Sequence, residues 1–361
     1  MSLATTFNNL KLRTKVWGLV ILPFIGVIFL AISFVNINHK QYKTAQVVNA
    51  NINFMRVVHD IVHVMQAERG LSRAFHAGAN NMDKVAEQRK KVDAELAKLE
   101  TVKDNHKYNT ASDLIARLAE MRTMVNNRGG EKDGSSVGKG YVGMIQTLLG
   151  TIINPKDMEA ASEINVSSDV GSLRLLEEAK ENNGRMRANM TAMLAADIAV
   201  SPARVNEVIK FKLGVDSNIY SPLMSLSAEN KQKIGEFKSL PHWIETEKIY
   251  NNFLDLADKG KYGVDSQHFF DSLTKCIGDL NAVILNQVDV FDKKVDGIES
   301  NAKTQLIGLV SIIVAALVAG FFLTYFIIRQ LVESFLKINT FATTIGNGDL
   351  TAKLDIHSTR S

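Results

Sequence analysis

Two stretches of this chain, residues 16–35 and 306–328, contain no Asp, Glu, Lys or Arg. A helix of about 20 residues rising 1.5 Å each covers the roughly 30 Å hydrocarbon core of a bilayer, so each stretch is long enough to span one. Residues 36–305 between them are enough for one large domain with its own core, or for two smaller ones stacked on each other.

The formal net charge of +4 gains meaning once it is divided at these stretches. Residues 1–15 carry Lys11, Arg13 and Lys15 with no acid, and residues 329–361 carry four bases against Glu333, Asp349 and Asp355. Taking those seven bases and three acids from the chain's 42 and 38 leaves 35 of each in residues 36–305. The middle is neutral and the whole excess flanks the apolar runs. By the positive-inside rule, residues 1–15 are a cytoplasmic N-terminus, 16–36 the first span, 37–304 a periplasmic domain, 305–328 the second span and 329–361 cytoplasmic again. The expectation is a two-pass protein of a bacterial inner membrane, with no basic stretch left over to meet nucleic acid. The competing reading of the first run is a cleaved signal peptide ending near Ala31-Ile32-Ser33. A single cysteine, Cys276, forbids an internal disulfide and reads as a buried, inert thiol.

The texture between the spans is helical. Ile52, Met55, Val58, Val62 and Met65, and later Leu173, Leu176, Met190 and Leu194, recur at helical spacing, and strict alternation is absent. The breaks predict eight or more helices: from the first span to about Gly78, then 83–106, 111–127, 141–153, 169–199, several short ones through 203–259, and one from Ser266 into the second span. Pro155, Pro202, Pro222 and Pro241 fit first-turn or pre-helix positions, and residues 128–136 form a polar, glycine-rich loop. The fold class is all-α: up-down helical bundles, two of them stacked, whose first and last helices are continuous with the spans.

Beyond the second span, Leu331, Phe335, Ile338, Ala342 and Ile345 are spaced four, three, four and three, a heptad seam for a parallel coiled coil and hence a homodimer. The seam ends at Gly346-Asn347-Gly348-Asp349-Leu350. This resembles the first helix and the start of the connector of a HAMP signalling module. Arg329-Gln330-Leu331 stands where that family usually has a proline, and Ser361 falls before most of the second HAMP helix, so a cytoplasmic output domain is expected to be missing from this chain.

The most informative stretch is Met65-Gln66-Ala67-Glu68-Arg69-Gly70-Leu71-Ser72-Arg73. Arg69 shares a helical stripe with Met65, Val62, Val58 and Met55, so its guanidinium is aimed at the core and must meet something anionic there. Arg73 follows one turn later, bringing a second fork of donors towards the same small anion. In Asn182-Asn183-Gly184-Arg185-Met186-Arg187-Ala188, helical phase separates two further arginines. Arg185 aligns with Glu181, Glu178 and Arg174 on a ridge that reads as solvated. Arg187 aligns with Leu176, Met190 and Leu194, and is favoured over Arg185 as a site residue. The residues leave two readings open for Arg69 and Arg187: an anion site, or pairing with buried carboxylates such as Glu68 or Asp197.

Glu68-Arg69-Gly70 in a long first helix, followed more than 100 residues later by Leu175-Leu176-Glu177-Glu178-Ala179-Lys180-Glu181 and then Gly184 and Arg187-Ala188, resembles the NIT domain, over about residues 50–295. Met186 stands where that family usually has Glu. The family is named for nitrate and nitrite sensing and occurs in receptors and transcription antiterminators. The resemblance implies two stacked helical bundles with arginines on inner helices, and an anion site at Arg69 and Arg187 joined by Arg73. Nitrate and nitrite are small, planar and singly charged, which suits an arginine fork. His76, one to two turns beyond Arg69, is a candidate donor at the pocket, where it would make binding vary with pH near neutrality.

Other constellations are weaker. His59 and His63, at i and i+4, match the spacing of a zinc-protease helix, but the intervening acid is Asp60 and no third ligand is evident. Gly138-Lys139-Gly140-Tyr141-Val142-Gly143 matches a dinucleotide fingerprint formally, but with no strand before it reads as a loop entering a helix. Trp243 reads as packing. No enzyme activity, metal or cofactor is expected. The sequence predicts a receptor that binds nitrate or nitrite, or another small anion, and passes the signal through HAMP to a chemotaxis-type output, as in methyl-accepting chemotaxis proteins. Its alternatives are a small-carboxylate sensor, a membrane-tethered module that binds a periplasmic partner protein and, third, a metal-dependent hydrolase.

Overall fold

In the computed structural model of the protein, the described residues are 12–76, 81–105, 107–128, 135–152, 155–349, 351 and 353, and they contain no strand. Among the described residues ten α-helices follow one another: α1 (Leu12–His76), α2 (Met82–Ala97), α3 (Tyr108–Asn126), α4 (Ser135–Ile152), α5 (Pro155–Glu163), α6 (Ser167–Ala196), α7 (Pro202–Ile219), α8 (Ala228–Glu236), α9 (Pro241–Leu256) and α10 (Ser266–Gly346). The all-α expectation holds.

Local chemistry sets the boundaries. Pro155, Pro202 and Pro241 each open a helix, where a missing N–H costs nothing. Ser227 caps α8 by accepting from the Asn230 N–H at 3.2 Å. Asp197 ends α6 in the left-handed region, φ +51°, and its carboxylate accepts from the Tyr262 N–H at 2.7 Å. Asp197 is therefore the cap of α6 and not the partner of Arg187, which lies ten residues, about 15 Å, earlier on the same helix. The glycine-rich run from Gly138 to Gly143 lies wholly inside α4 instead of in a loop. A Cβ on Gly140 would sit 1.9 Å from Met121 Cε, so the glycine lets α4 lie close against α3. The expected second helix stops earlier, at Ala97, and continues as a 3₁₀ turn, Lys98–Val102. Residues 129–134 of the polar loop lie outside the described residues.

Residues Lys43–Glu299 form one compact unit, and the two ends of the chain, Met1–Tyr42 with Ser300–Ser361, form another. The larger unit has two apolar cores. One gathers Ile52, Phe54 and Met65 of α1, Leu118 of α3, Tyr141 and Leu148 of α4, Leu173 and Leu176 of α6, and Leu280 and Phe291 of α10. The other gathers Met186, Met190 and Leu194 of α6, Val208 of α7, Phe253 of α9, and Phe269, Leu273 and Cys276 of α10. Full burial of a side chain such as Phe54 or Phe253 contributes about 1.5–3 kcal/mol, so each core is a substantial source of stability. Helix α6 runs through both. Where its two apolar halves meet lie Glu177, Lys180, Glu181 and Asn183, with Arg187 just inside the second half, all buried.

In the other unit, α10 is long and apolar enough to cross a membrane, with an 18-residue window of mean hydropathy 2.8, none of it buried. The first apolar run lies in α1, and among its described side chains Ile25, Val27, Phe29, Ile32 and Phe34 are exposed. The side chains of residues 12–24 lie outside the described set. Leu331, Phe335, Ile338, Ala342 and Ile345 are helical and exposed, and α10 ends at Gly346 before a turn in which Gly348 takes φ +95°. Leu350 lies outside the described residues.

Candidate functional site

Glu68 and Arg69 are neighbours on α1 that serve different partners. Glu68 is fully buried and takes both nitrogens of the Arg122 fork, Nε and Nη2, at 2.8 Å each, with the Tyr141 hydroxyl donating at 2.7 Å. Burial pushes the Tyr141 phenol well above its ordinary range, with the Glu68 carboxylate adding to it. Burial alone would lower Arg122, but its bonds to Glu68 and Asp93 outweigh that and raise it. Glu68 therefore ties α1 to α3 and α4.

Arg69, 3% exposed, reaches α6 instead, where Nη1 donates to Glu181 Oε1 at 2.5 Å. Gln66 donates to the other oxygen of Glu181 at 2.8 Å, and Arg185 Nε donates to Oε1 at 2.9 Å. Burial works against the Glu181 charge, but Arg69 and then Arg185 overcome it and hold the carboxyl below its ordinary value. Of the two readings left open for Arg69, a carboxylate partner is present, and it is Glu181 in place of Glu68 or Asp197. The fork is only half used: Arg69 Nη2 is buried and has no acceptor among the described residues. It passes 2.9 Å from where a Cβ on Gly184 would be, so the glycine gives the guanidinium its path across α6.

On one side of this contact opens a cleft of about 600 Å³ lined by Arg69, Arg73, Lys139, Arg185, Arg204 and Lys210, with Glu207 the one carboxylate among its lining residues. Arg73 lies beside Gly138, 3.6 Å from Cδ to the position of a Cβ there. Arg204, Glu207, Lys210 and Phe211 share one face of α7, since Glu207 is three residues after Arg204, and Lys210 and Phe211 are three and four after Glu207. Among the residues expected from sequence, Arg69 and Arg73 thus meet in the cleft. His76 is buried and outside its lining. Arg187 faces the other way, donating from Nη1 to Thr274 Oγ1 at 2.8 Å, with its guanidinium 4.7 Å from the Phe270 ring centre. Burial, with Arg69 nearby, pulls Arg187 down to about 10.

Arg185, set aside on helical phase, lines the cleft. The ridge expected to be solvated is covered there by α7, and Phe211 lies 5.9 Å from the Arg185 guanidinium. Lys139, Arg204 and Lys210 escaped sequence reading because isolated bases on helices look like any solvated face. Only the equal spacing of Arg204, Glu207 and Lys210 was available as a signal.

His59 lies about three turns further back along α1, in a buried ionic layer, and His63, about two turns back, is exposed. His59 Nδ1 contacts Glu177 and lies 3.2 Å from Lys180 Nζ, which is 3.0 Å from Glu177 Oε2. Burial opposes the Glu177 charge, yet Lys180 and His59 hold its carboxyl down to about 2. Partial desolvation first, then the charge of Lys180, lowers His63 to about 4. Among the described residues no group of three or more His, Cys, Asp or Glu side chains is arranged to hold a metal ion. Cys276 is buried in the second core, and burial pushes its thiol up to about 12.

No curated protein sequence matches the chain. Its fold is similar to that of a solved structure described as "Structure of the NasR transcription antiterminator", with a TM-score of 0.65 over 90% of each chain at 14% sequence identity. The family model of NIT, nitrate and nitrite sensing, matches residues 60–289, which takes in Arg69, Glu181, Arg187 and the whole cleft. With well over half of its length matched, the chain belongs to the NIT family of nitrate- and nitrite-sensing domains.

Proposed function

We propose that this protein is a two-pass inner-membrane receptor that binds nitrate or nitrite in the cleft between α1, α4, α6 and α7 and relays binding to a cytoplasmic, chemotaxis-type output. The observation that carries the reading is the charge of the cleft: six cationic side chains against one carboxylate, around a buried guanidinium with an unused nitrogen. Arg69 and Arg73 act directly on the anion. Arg187 adds positive charge from the far side of α6, and His76 orders the end of α1 behind the pocket. Two charge-assisted hydrogen bonds contribute about 1.5–3 kcal/mol each, and a millimolar dissociation constant needs about 4 kcal/mol, so few direct contacts suffice.

The relay rests on helix continuity. The residues of the site on α1 belong to the same helix as the first apolar run, and α10 carries Phe270 and Thr274 beside Arg187 as well as the second apolar run and the exposed seam. An anion that prefers one packing of α1 against α6 shifts the balance between two packings by its differential affinity for them. The seam pairs with that of a second copy in a HAMP-like coiled coil.

The test is calorimetry on the full chain in detergent micelles with nitrate, nitrite, chloride and small carboxylates. Binding of a nitrogen oxyanion at or below millimolar concentration, lost in Arg69→Ala, supports the reading. Absence of binding by both oxyanions refutes it.

A further inference from the structure

Glu181 occupies the donors that the proposed ligand would need. Its carboxylate is planar and singly charged, and it takes Arg69 Nη1 and Arg185 Nε on one oxygen and Gln66 Nε2 on the other. Nitrate and nitrite have the same shape, charge and in-plane acceptors. Adding a second anion while Glu181 stays in place would set two negative charges against one another in a buried setting, where repulsion is poorly screened. Glu181 also has somewhere to go. It borders a second cleft, of about 410 Å³, with Gln146, Asn182, Arg174 and Arg185. A swing about its side-chain bonds into that cleft leaves the carboxylate close to Arg185 while releasing Arg69 and Gln66.

We propose that Glu181 is the resident anion of this site, and that ligands bind by displacing it from Arg69 and Gln66. The inference rests on the nitrate and nitrite reading and narrows it. Ligands are planar monoanions with a carboxylate's footprint, and tetrahedral anions of equal charge are excluded by the donor geometry that Glu181 has imposed. Displacement also exchanges an anion tethered to α6 for a diffusible one at Arg69, so binding of the ligand and release of α1 from Glu181 are one event.

Removing the competitor raises apparent affinity by the inverse of the fraction of molecules in which the site is open. If that fraction is about 1–10%, Glu181→Gln tightens nitrate binding roughly 10–100-fold. The experiment is calorimetry and thermal melting of the full chain in detergent micelles, for the wild type, Glu181→Gln and Glu181→Ala, with sodium nitrate, sodium nitrite, sodium formate and sodium perchlorate at equal ionic strength. Tighter nitrate binding in Glu181→Gln is expected, as is stabilisation of Glu181→Ala by nitrate and formate but not by perchlorate. Should the unliganded variants fail to fold with Arg69 unpaired, recovery of folded protein in nitrate or formate, but not perchlorate, gives the same answer. Nitrate binding that is unchanged or weaker in Glu181→Gln while the wild type binds, or stabilisation by perchlorate equal to that by nitrate, overturns the displacement. Failure of the wild type and both variants to bind nitrate or nitrite overturns the parent reading as well.

Discussion

Arg69 crosses α6 over Gly184, with Nη2 2.9 Å from the point that a Cβ on that glycine would occupy. The atom in the way is the end of a flexible side chain, so Gly184→Ala does not force the backbone apart. Alanine also favours the helix by about 0.5–1 kcal/mol over glycine. The expected outcome is a melting temperature close to that of the wild type together with nitrate binding weakened about tenfold or more, because Arg69 is pushed off its path. A melting curve paired with calorimetry checks this, and unchanged affinity would show that Arg69 is not held in register by the glycine.

Arg187 is buried against Phe270 and Thr274 with no ion pair among the described residues. Replacing a desolvated charge by an apolar side chain of similar length is often neutral or stabilising. Arg187→Met is expected to leave thermal stability unchanged or raised, and to weaken nitrate binding less than Arg69→Ala does. Arg185→Ala is expected to weaken binding too, since Arg185 lines the cleft. Calorimetry on the three variants ranks them, and a larger loss from Arg187→Met than from Arg69→Ala would reverse the assigned roles.

Stability is expected to fall as the medium is acidified from about pH 6.5, in two overlapping stages. His63 is lowered to about 4 in the fold, so the folded protein binds fewer protons than the unfolded chain. Its contribution is complete above the ordinary histidine value and is lost as pH drops towards 4. Glu177 is held down to about 2, so its contribution is complete above the ordinary carboxylate value and is lost between there and about pH 2. Melting temperatures measured from pH 8 to pH 3 test this. His63→Leu should flatten the curve above pH 4 and leave the lower stage in place.

The exposed seam on α10 makes a separate claim. Ile338→Glu sets a charge in the middle of the proposed coiled coil, where its desolvation opposes pairing. Sedimentation of the full chain in detergent is expected to show a dimer for the wild type and a monomer for the variant, with anion affinity retained.

Much of this architecture was legible because helices announce themselves. The apolar stripe through Met55, Val58, Val62 and Met65 predicted both the burial of α1 and the inward aim of Arg69. Helical phase failed at Arg185 because it reports which face of an isolated helix is apolar, and says nothing of a neighbour such as α7 that covers a charged face. Glu181 was placed on the same ridge for the same reason. Its role depends on Gln66 and Arg69, more than 110 residues earlier in the chain, a pairing that no local pattern encodes. The glycines of α4 misled in the opposite sense. They suggested a loop, whereas Gly140 serves the close approach of Met121.

Helix α6 carries an apolar half in each core and a charged segment between them, and the two kinds of contact yield differently. Apolar contacts in a core are non-directional, whereas a hydrogen bond held by a guanidinium needs a narrow distance and a near-linear angle and weakens steeply outside them. The charged segment is therefore the detent in an otherwise smooth bearing. If anions displace Glu181 as proposed, a graded rise in their concentration, read at that segment, turns into a count of molecules that have clicked from one notch to the next.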